Sequence, residues 1–389
     1  MKVKRKYLSS AVILLLSLGL LYKISFVDVP LLYVTGPNSQ WSDLDERVFS
    51  GIEQGQITFI LLKDWRPHLR RSGLTAGDQI IADDLAELRL FLRDRPDAIA
   101  CLPWYAVGPE FRTLRYYGAY FWDAEYYPAV RCFSWGWIPK YRRKNVKNIT
   151  FGGTVTLGRE VGNIIERTND VHYPWQKITK ILHKADLAVV SLESPLVYNY
   201  VRPRTLNLIY GKAVYARGLA AAGVKAAALT GAHLGDAGLA GLDDTLAILT
   251  KLSIKPLGLD AAADEVYYPQ FFELGNFTVA ILSGGQDRAV YTETDLRGRE
   301  RAYYASSDPA RLLQSAEQTN ADAVFVLGDV RSTRENIFPV TGLGGLIFDR
   351  TSGANTEGRI KRYFFYKKHL AAVDTLPVFL SERWYTELK

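Results

Sequence analysis

Glu193, His233 and Asp236 combine two carboxylates and an imidazole, the donor types that bind a divalent cation such as manganese or zinc. Each lies just past a mostly apolar stretch: Glu193 closes Leu187 to Leu192, and His233 and Asp236 follow Lys225 to Leu229. At neighbouring strand ends they could hold one ion weakly, with water completing the shell. The competing reading is architectural. In it Glu193 and His233 hydrogen-bond to loop backbone, Asp236 is a surface turn residue, and the protein carries no cofactor. The architectural reading is the one expected here.

The elements that would position these residues alternate in type. Ile149 to Leu157 reads as a strand, Pro174 to Lys184 as a helix, Leu187 to Leu192 as a strand and Lys212 to Ala222 as a helix. A strand at Lys225 to Leu229, a helix at Leu239 to Leu252, and strands at Ile254 to Leu257 and Phe277 to Leu282 follow. Such alternation predicts a largely parallel sheet covered on both faces, with functional residues at the strand C-terminal ends. In the last helix Leu239, Leu242, Leu246 and Leu249 recur at helical spacing, so this stripe is expected to face the sheet.

A separate α/β region precedes this one. Gln56 to Leu62 and Ala98 to Leu102 read as strands and Asp83 to Arg93 as an amphipathic helix. The segments Pro96 to Trp104 and Val107 to Leu114 resemble the ligand-binding α/β modules of periplasmic solute-binding proteins. Trp104, Tyr116, Tyr117, Trp122, Trp135 and Trp137 could line a cleft there, although core packing is the expected role of these rings. The boundaries are a signal anchor at 1–30, this module at 31–139, a basic linker at 140–148 and the second domain at 149–389.

Four segments of the second domain share an order with a known family. Phe151 to Arg159 reads Phe-Gly-Gly-Thr-Val-Thr-Leu-Gly-Arg, and Ala185 to Leu196 runs through Ser-Leu-Glu to Pro-Leu. Ala222 to Gly238 carries Gly-Ala-His and then Asp-Ala-Gly, and Gly342 to Asp349 reads Gly-Leu-Gly-Gly-Leu-Ile-Phe-Asp. Together they resemble the capsule and poly-γ-glutamate synthesis (CapA-type) family. That resemblance implies an α/β fold: a metallophosphatase-like layered sheet domain, preceded here by the smaller α/β domain and an N-terminal transmembrane helix. It also implies Asp, Asn, Glu and His ligands for divalent metal at the strand ends. Here Thr154 stands for the family's aspartate, and Ser191, Gly231, Ala232 and Gly345 stand for its asparagines. No histidine occurs between His233 and His369, so the family's later histidine elements are missing. Asp329 and Asp349 are further candidates for the ligand set. Leu274 to Phe277 spells the closing motif as Leu-Gly-Asn-Phe, but in the wrong place, and is taken as a chance match.

Composition and ends set the address. With 48% hydrophobic and 23% charged residues the chain is a folded globular protein, and at 389 residues two domains are expected. Lys2, Lys4, Arg5 and Lys6 precede the apolar run Tyr7 to Tyr22, and counting Ile24 to Val27 gives roughly the 20 residues of a span. Ser17-Leu18-Gly19, the nearest small-x-small triplet, lies inside that run, so an uncleaved anchor is expected, with the bulk of the chain outside the cytoplasm. Cys101 and Cys132 could pair in an oxidising compartment or lie buried as free thiols. The net charge of +7 suits an anionic partner. Arg142, Arg143 and Lys144, within the cluster Lys140 to Lys147, are the candidate contacts, and no nucleic-acid motif accompanies them.

The expected function is therefore a membrane-anchored accessory or binding subunit, without catalysis or nearly so, in synthesis or export of a capsule or poly-γ-glutamate-type polymer. The rivals are an active metal-dependent hydrolase and an extracytoplasmic solute-binding or sensory module.

Overall fold

The computed structural model describes residues 26–36, 38–65, 79–108, 110–119, 129–133, 146–203, 205, 207–229, 231–284, 290–294, 300–348, 357–366, 368–381 and 385–388. The chain is mixed α/β and divides into two compact units, Met1–Val146 with His369–Asp374, and Lys147–Lys368 with Thr375–Lys389.

The first unit is built on one sheet in the order Gln79–Ala82, Phe59–Leu62, Ile99–Pro103, Phe26–Thr35 and Arg112–Thr113, with Ala129–Phe133 also paired to Phe26–Thr35. Phe59–Leu62 and Ile99–Pro103 are apolar and wholly buried, as strands sandwiched on both faces must be. Helices Glu46–Glu53 and Leu85–Asp94 begin at Asp45 and Asp84, whose carboxylates accept hydrogen bonds from first-turn amides. Antiparallel register sets Cys101 opposite Tyr33 and Cys132 opposite Val27. Those partners are six residues apart on one strand, roughly 20 Å, which is too far for a disulfide. Cys101 is a free, buried thiol whose pKa burial drives far up. We expect a maleimide to leave Cys101 unlabelled in the native chain at neutral pH and to label it completely in urea, as read by mass spectrometry; native labelling would place the strand on the surface.

Among the described residues the second unit is built on two main sheets, beside a two-stranded and a three-stranded one. The larger runs Lys255–Leu257, Ala226–Leu229, Leu187–Leu192, Val146–Val155, Glu357–Tyr366, His369–Leu380, Thr386–Leu388, with Gly345–Ile347 also on Val146–Val155. Its first four strands are parallel. The smaller runs Gln270–Glu273, Thr278–Ser283, Ala323–Leu327, Ile337–Val340. Alternation along the strands makes the layers. Ala188, Val190, Leu192, Ala227 and Leu229 share a core with helices Arg159–Thr168, Ala216–Ala221 and Gly238–Lys251. Ala280, Leu282, Val324 and Val326 pack on helix Pro309–Gln318. Between the sheets lies an aromatic layer: Phe325 of the smaller meets Phe151 at 4.8 Å and Tyr363 at 4.9 Å from the larger.

Several expectations need correction. Phe26 and Val27 open a strand, so they cannot extend a membrane helix; residues 1–25 lie outside the described residues. Among the described residues no helix is long and apolar enough to cross a membrane. Pro174 to Lys184 is a 3₁₀ turn, Tyr173–Trp175, followed by the short helix Thr179–His183. Lys212 to Ala222 splits likewise, because Gly211–Lys212 pairs as a strand before the turn Ala213–Tyr215 and helix Ala216–Ala221. In Gly238–Lys251 the buried stripe is Leu239, Leu242, Thr245, Ile248 and Leu249, with Leu246 only half-buried. Lys147 belongs to strand Val146–Val155 and pairs with Asp186, while Lys140, Arg142, Arg143 and Lys144 lie outside the described residues. Trp104 is fully buried and Tyr117 exposed; Trp122, Trp135 and Trp137 lie outside the described residues.

Candidate functional site

Parallel strands bring their C-terminal ends to one edge, and that edge collects the singled-out residues. Opposite Val189 to Ser191 the strand Val146–Val155 carries an extra residue at Gly152-Gly153, a bulge that puts Phe151 in the aromatic layer and Val155 in the helix-side core. Glycine is needed there because a Cβ on Gly153 would stand 2.1 Å from the Gly344 carbonyl oxygen. The Thr154 amide donates to that same oxygen at 2.8 Å, and the Thr156 amide to Ile347 at 2.7 Å. Gly345–Ile347 is therefore the strand beside the first motif. Leu274 to Phe277, by contrast, joins Gln270–Glu273 to Thr278–Ser283 as a hairpin turn on the other sheet.

Glu193 is half-buried at the end of Leu187–Leu192, where its amide donates to the Val155 carbonyl at 2.9 Å. The chain after it is fixed by Thr245 from the helix behind. The Thr245 hydroxyl accepts from the Leu196 amide at 2.9 Å and donates to the Gly241 carbonyl at 2.6 Å. Sequence periodicity chose Leu246 over Thr245, since hydropathy does not see that a buried hydroxyl with partners is tolerated.

Gly231 lies against Glu193. A Cβ there would sit 2.2 Å from Glu193 Cα and 2.3 Å from its carbonyl oxygen. From Gly231 the chain turns so that His233 and Asp236 meet. His233 Nδ1 donates to Asp236 Oδ2 at 2.7 Å, and the Ile209 amide donates to the same oxygen at 2.7 Å. Asp236 is thus no free turn residue: its side chain is 17% exposed and ties the 209 segment to the His233 turn. His233, likewise, bonds a carboxylate rather than loop backbone. The pairing leaves Nε2 as the acceptor nitrogen.

Glu193 is not brought in as a third ligand. Among the described residues no three His, Cys, Asp or Glu are grouped to hold a metal ion. Asp329 is exposed at the end of Ala323–Leu327, and Asp349 lies outside the described residues.

A second polar cluster went unread in the sequence. Tyr215 donates to Glu166 Oε1 at 2.7 Å, Lys212 pairs with Glu166 at 3.0 Å, and Lys212 stands 5.5 Å from the Tyr200 ring centre. Burial first, and then the Glu166 contact, pushes the Tyr215 hydroxyl well up, whereas the Tyr215 hydrogen bond holds the Glu166 carboxyl below its ordinary range. The pairing of Leu196–Val197 with Gly211–Lys212, and the shared core of Ile165 and Tyr215, make these residues neighbours.

No curated protein matches the chain. Among solved structures it is similar to an ABC-type phosphate transport receptor from Vibrio cholerae, at 13% identity and a TM-score of 0.22, over 25% of this chain and 48% of the receptor. The chain thus spans about half of the receptor's length. It is also similar to a hypothetical protein from Thermus thermophilus, at 13% identity and a TM-score of 0.33, over 59% of this chain and 98% of that one. Likenesses this distant carry no inference. The family model described as bacterial capsule synthesis protein PGA_cap matches residues 148–338, the stretch that holds the strand ends of Val155, Glu193 and His233. Over residues 148–338 the chain is similar to the bacterial capsule synthesis protein family.

Proposed function

We propose that this protein is a membrane-anchored CapA-like subunit that assists synthesis or export of a capsule or poly-γ-glutamate-type anionic polymer by binding rather than catalysis. The family match over residues 148–338 supports the link to capsule synthesis. The observation that carries the non-catalytic part is the closure of Gly231 onto Glu193, which puts backbone where the family has an asparagine side chain. The remainder of the proposal is a metallophosphatase-like layering of the two sheets, an anchor within residues 1–25 with the bulk extracytoplasmic, and contacts from Arg142, Arg143 and Lys144 to the anionic polymer.

A divalent metal centre is what the family implies, and the donors here do not fit it. Thr154, Ser191, Gly231, Ala232 and Gly345 supply no anionic or imidazole ligand at the matched positions. The Asp236 oxygen that meets His233 is shared with the Ile209 amide. Two adjacent cations need several anionic donors to offset their repulsion and lost hydration.

The test is elemental analysis after equilibration with manganese and zinc, paired with a phosphomonoester and phosphodiester screen. Fewer than two tightly held ions per chain and no enzyme-like turnover are expected. His233→Ala should only destabilise, by about 1–2 kcal/mol, since it deprives a largely covered carboxylate of its partner. Two bound ions, with binding and turnover both lost in Glu193→Ala or His233→Ala, would overturn the proposal.

A further inference from the structure

The first unit holds a cleft of about 710 Å³, lined by Gln40, Trp41, Ser42, Asp45, Arg47 and Tyr117 among others. That is within the size range of small-molecule sites. One wall is a two-residue hairpin turn in which Tyr117 has φ +47° and Gly118 φ +78°, closed by hydrogen bonds between Tyr116 and Ala119. Both central residues are left-handed, a conformation that favours asparagine and glycine. A tyrosine there is strained, and its ring, stacked on Phe49 at 6.4 Å, is still 54% exposed. Strain kept for a half-exposed ring points to a use for that ring.

The opposite wall is held in place. The Trp41 indole N–H donates to the Asp97 carbonyl at 3.1 Å, and Arg112 donates to the carbonyls of Ser39, at 2.8 Å, and Trp41. Each carboxylate of the cleft has its own guanidinium: Asp45 pairs with Arg47 at 2.9 Å, and Asp43 with Arg115. The charged side chains that line the cleft are therefore all paired, which disfavours a phosphate, a carboxylate or a cation as ligand. Two aromatic rings, with Gln40, Ser42, Asp45 and Arg47 as donors and acceptors, match instead a molecule with apolar C–H faces and a hydroxyl rim.

We infer that this cleft binds a neutral saccharide, with Tyr117 and Trp41 against sugar rings and Gln40 and Arg47 on hydroxyls. The inference stands on the first unit alone and is independent of the function proposed above.

The test is saturation-transfer NMR on the full chain with trisaccharides of glucose, galactose and N-acetylglucosamine as probes, and inorganic phosphate and L-glutamate as competitors. At least one trisaccharide should bind, and neither competitor should displace it. Gln40→Ala, at an exposed side chain, should weaken binding about tenfold, equivalent to about 1.4 kcal/mol, at unchanged Tm. Tyr117→Asn should weaken it at least as much while Tm holds or rises, because asparagine relieves the turn. A ring kept only for packing would instead lower Tm on substitution and leave binding intact. Failure of every trisaccharide to bind, displacement by phosphate or glutamate, or binding unaffected by both substitutions would overturn the assignment.

Discussion

Asparagine at position 231 is expected to destabilise the second unit by about 2–3 kcal/mol and to create no metal affinity. The obstacle is the first side-chain carbon, not the amide. A Cβ at 2.2 Å from Glu193 Cα and 2.3 Å from its carbonyl oxygen meets backbone, which cannot swing aside as a flexible side chain would. Relief requires the turn to lift, which pulls on the Leu234 amide bond to the Gly231 carbonyl and on the contact of His233 with Asp236. Gly231→Ala should therefore cost nearly as much as Gly231→Asn. For a unit of this size the loss corresponds to a fall in Tm of roughly 5–10 °C. Thermal scans with and without manganese check it: an asparagine variant of unchanged Tm that gained stability from the metal would show that the turn opens readily and that the site is a latent metal centre.

Phe325→Ala should cost about 3–5 kcal/mol, the range for emptying a large buried aromatic site. Phe325 is wholly buried between the two sheets of the second unit. Its ring lies 4.8 Å from Phe151, 4.9 Å from Tyr363, 5.2 Å from Phe338 and 6.1 Å from Phe365. These neighbours come from strands of both sheets, so the cavity cannot close without the sheets approaching each other. Urea unfolding measures the effect as a lowered midpoint at constant slope. A loss below about 1.5 kcal/mol, small for a truncated core aromatic, would mean that the two sheets do not depend on a shared aromatic layer.

How far such residues can be read in advance depends on the range of the interaction that places them. Phe59–Leu62 was legible because a strand buried on both faces must be apolar throughout, and Leu187–Leu192 because all its residues but Ser191 are apolar. Leu85–Asp94 was legible because its apolar spacing and Asp84 cap are local signals. Pro174 to Lys184 misled because apolar spacing says nothing about where a short turn interrupts it. Leu246 and Thr245 both fit a helical period, and what selects Thr245 is the Leu196 backbone, which is distant in sequence. Phe26 and Val27 prolong an apolar run by composition, yet their strand is defined by pairing with Ala129–Phe133, about a hundred positions on.

The site divides along the same line. Residue identity alone determined that positions 154, 191, 231, 232 and 345 carry no carboxylate, carboxamide or imidazole, because a ligand's chemistry belongs to its side chain. It also placed Glu193 and His233 just beyond strand ends, because apolar runs stop where chain leaves the core. Tertiary structure alone decided that His233 turns to Asp236 and that Asp236 also takes the Ile209 amide. It alone decided that Gly231 closes on Glu193. These are contacts between segments far apart in the chain, or within a turn whose shape the neighbouring strand sets. Their ångström-scale geometry comes from the packing of parallel strands on one edge, and no local pattern of residue types encodes it.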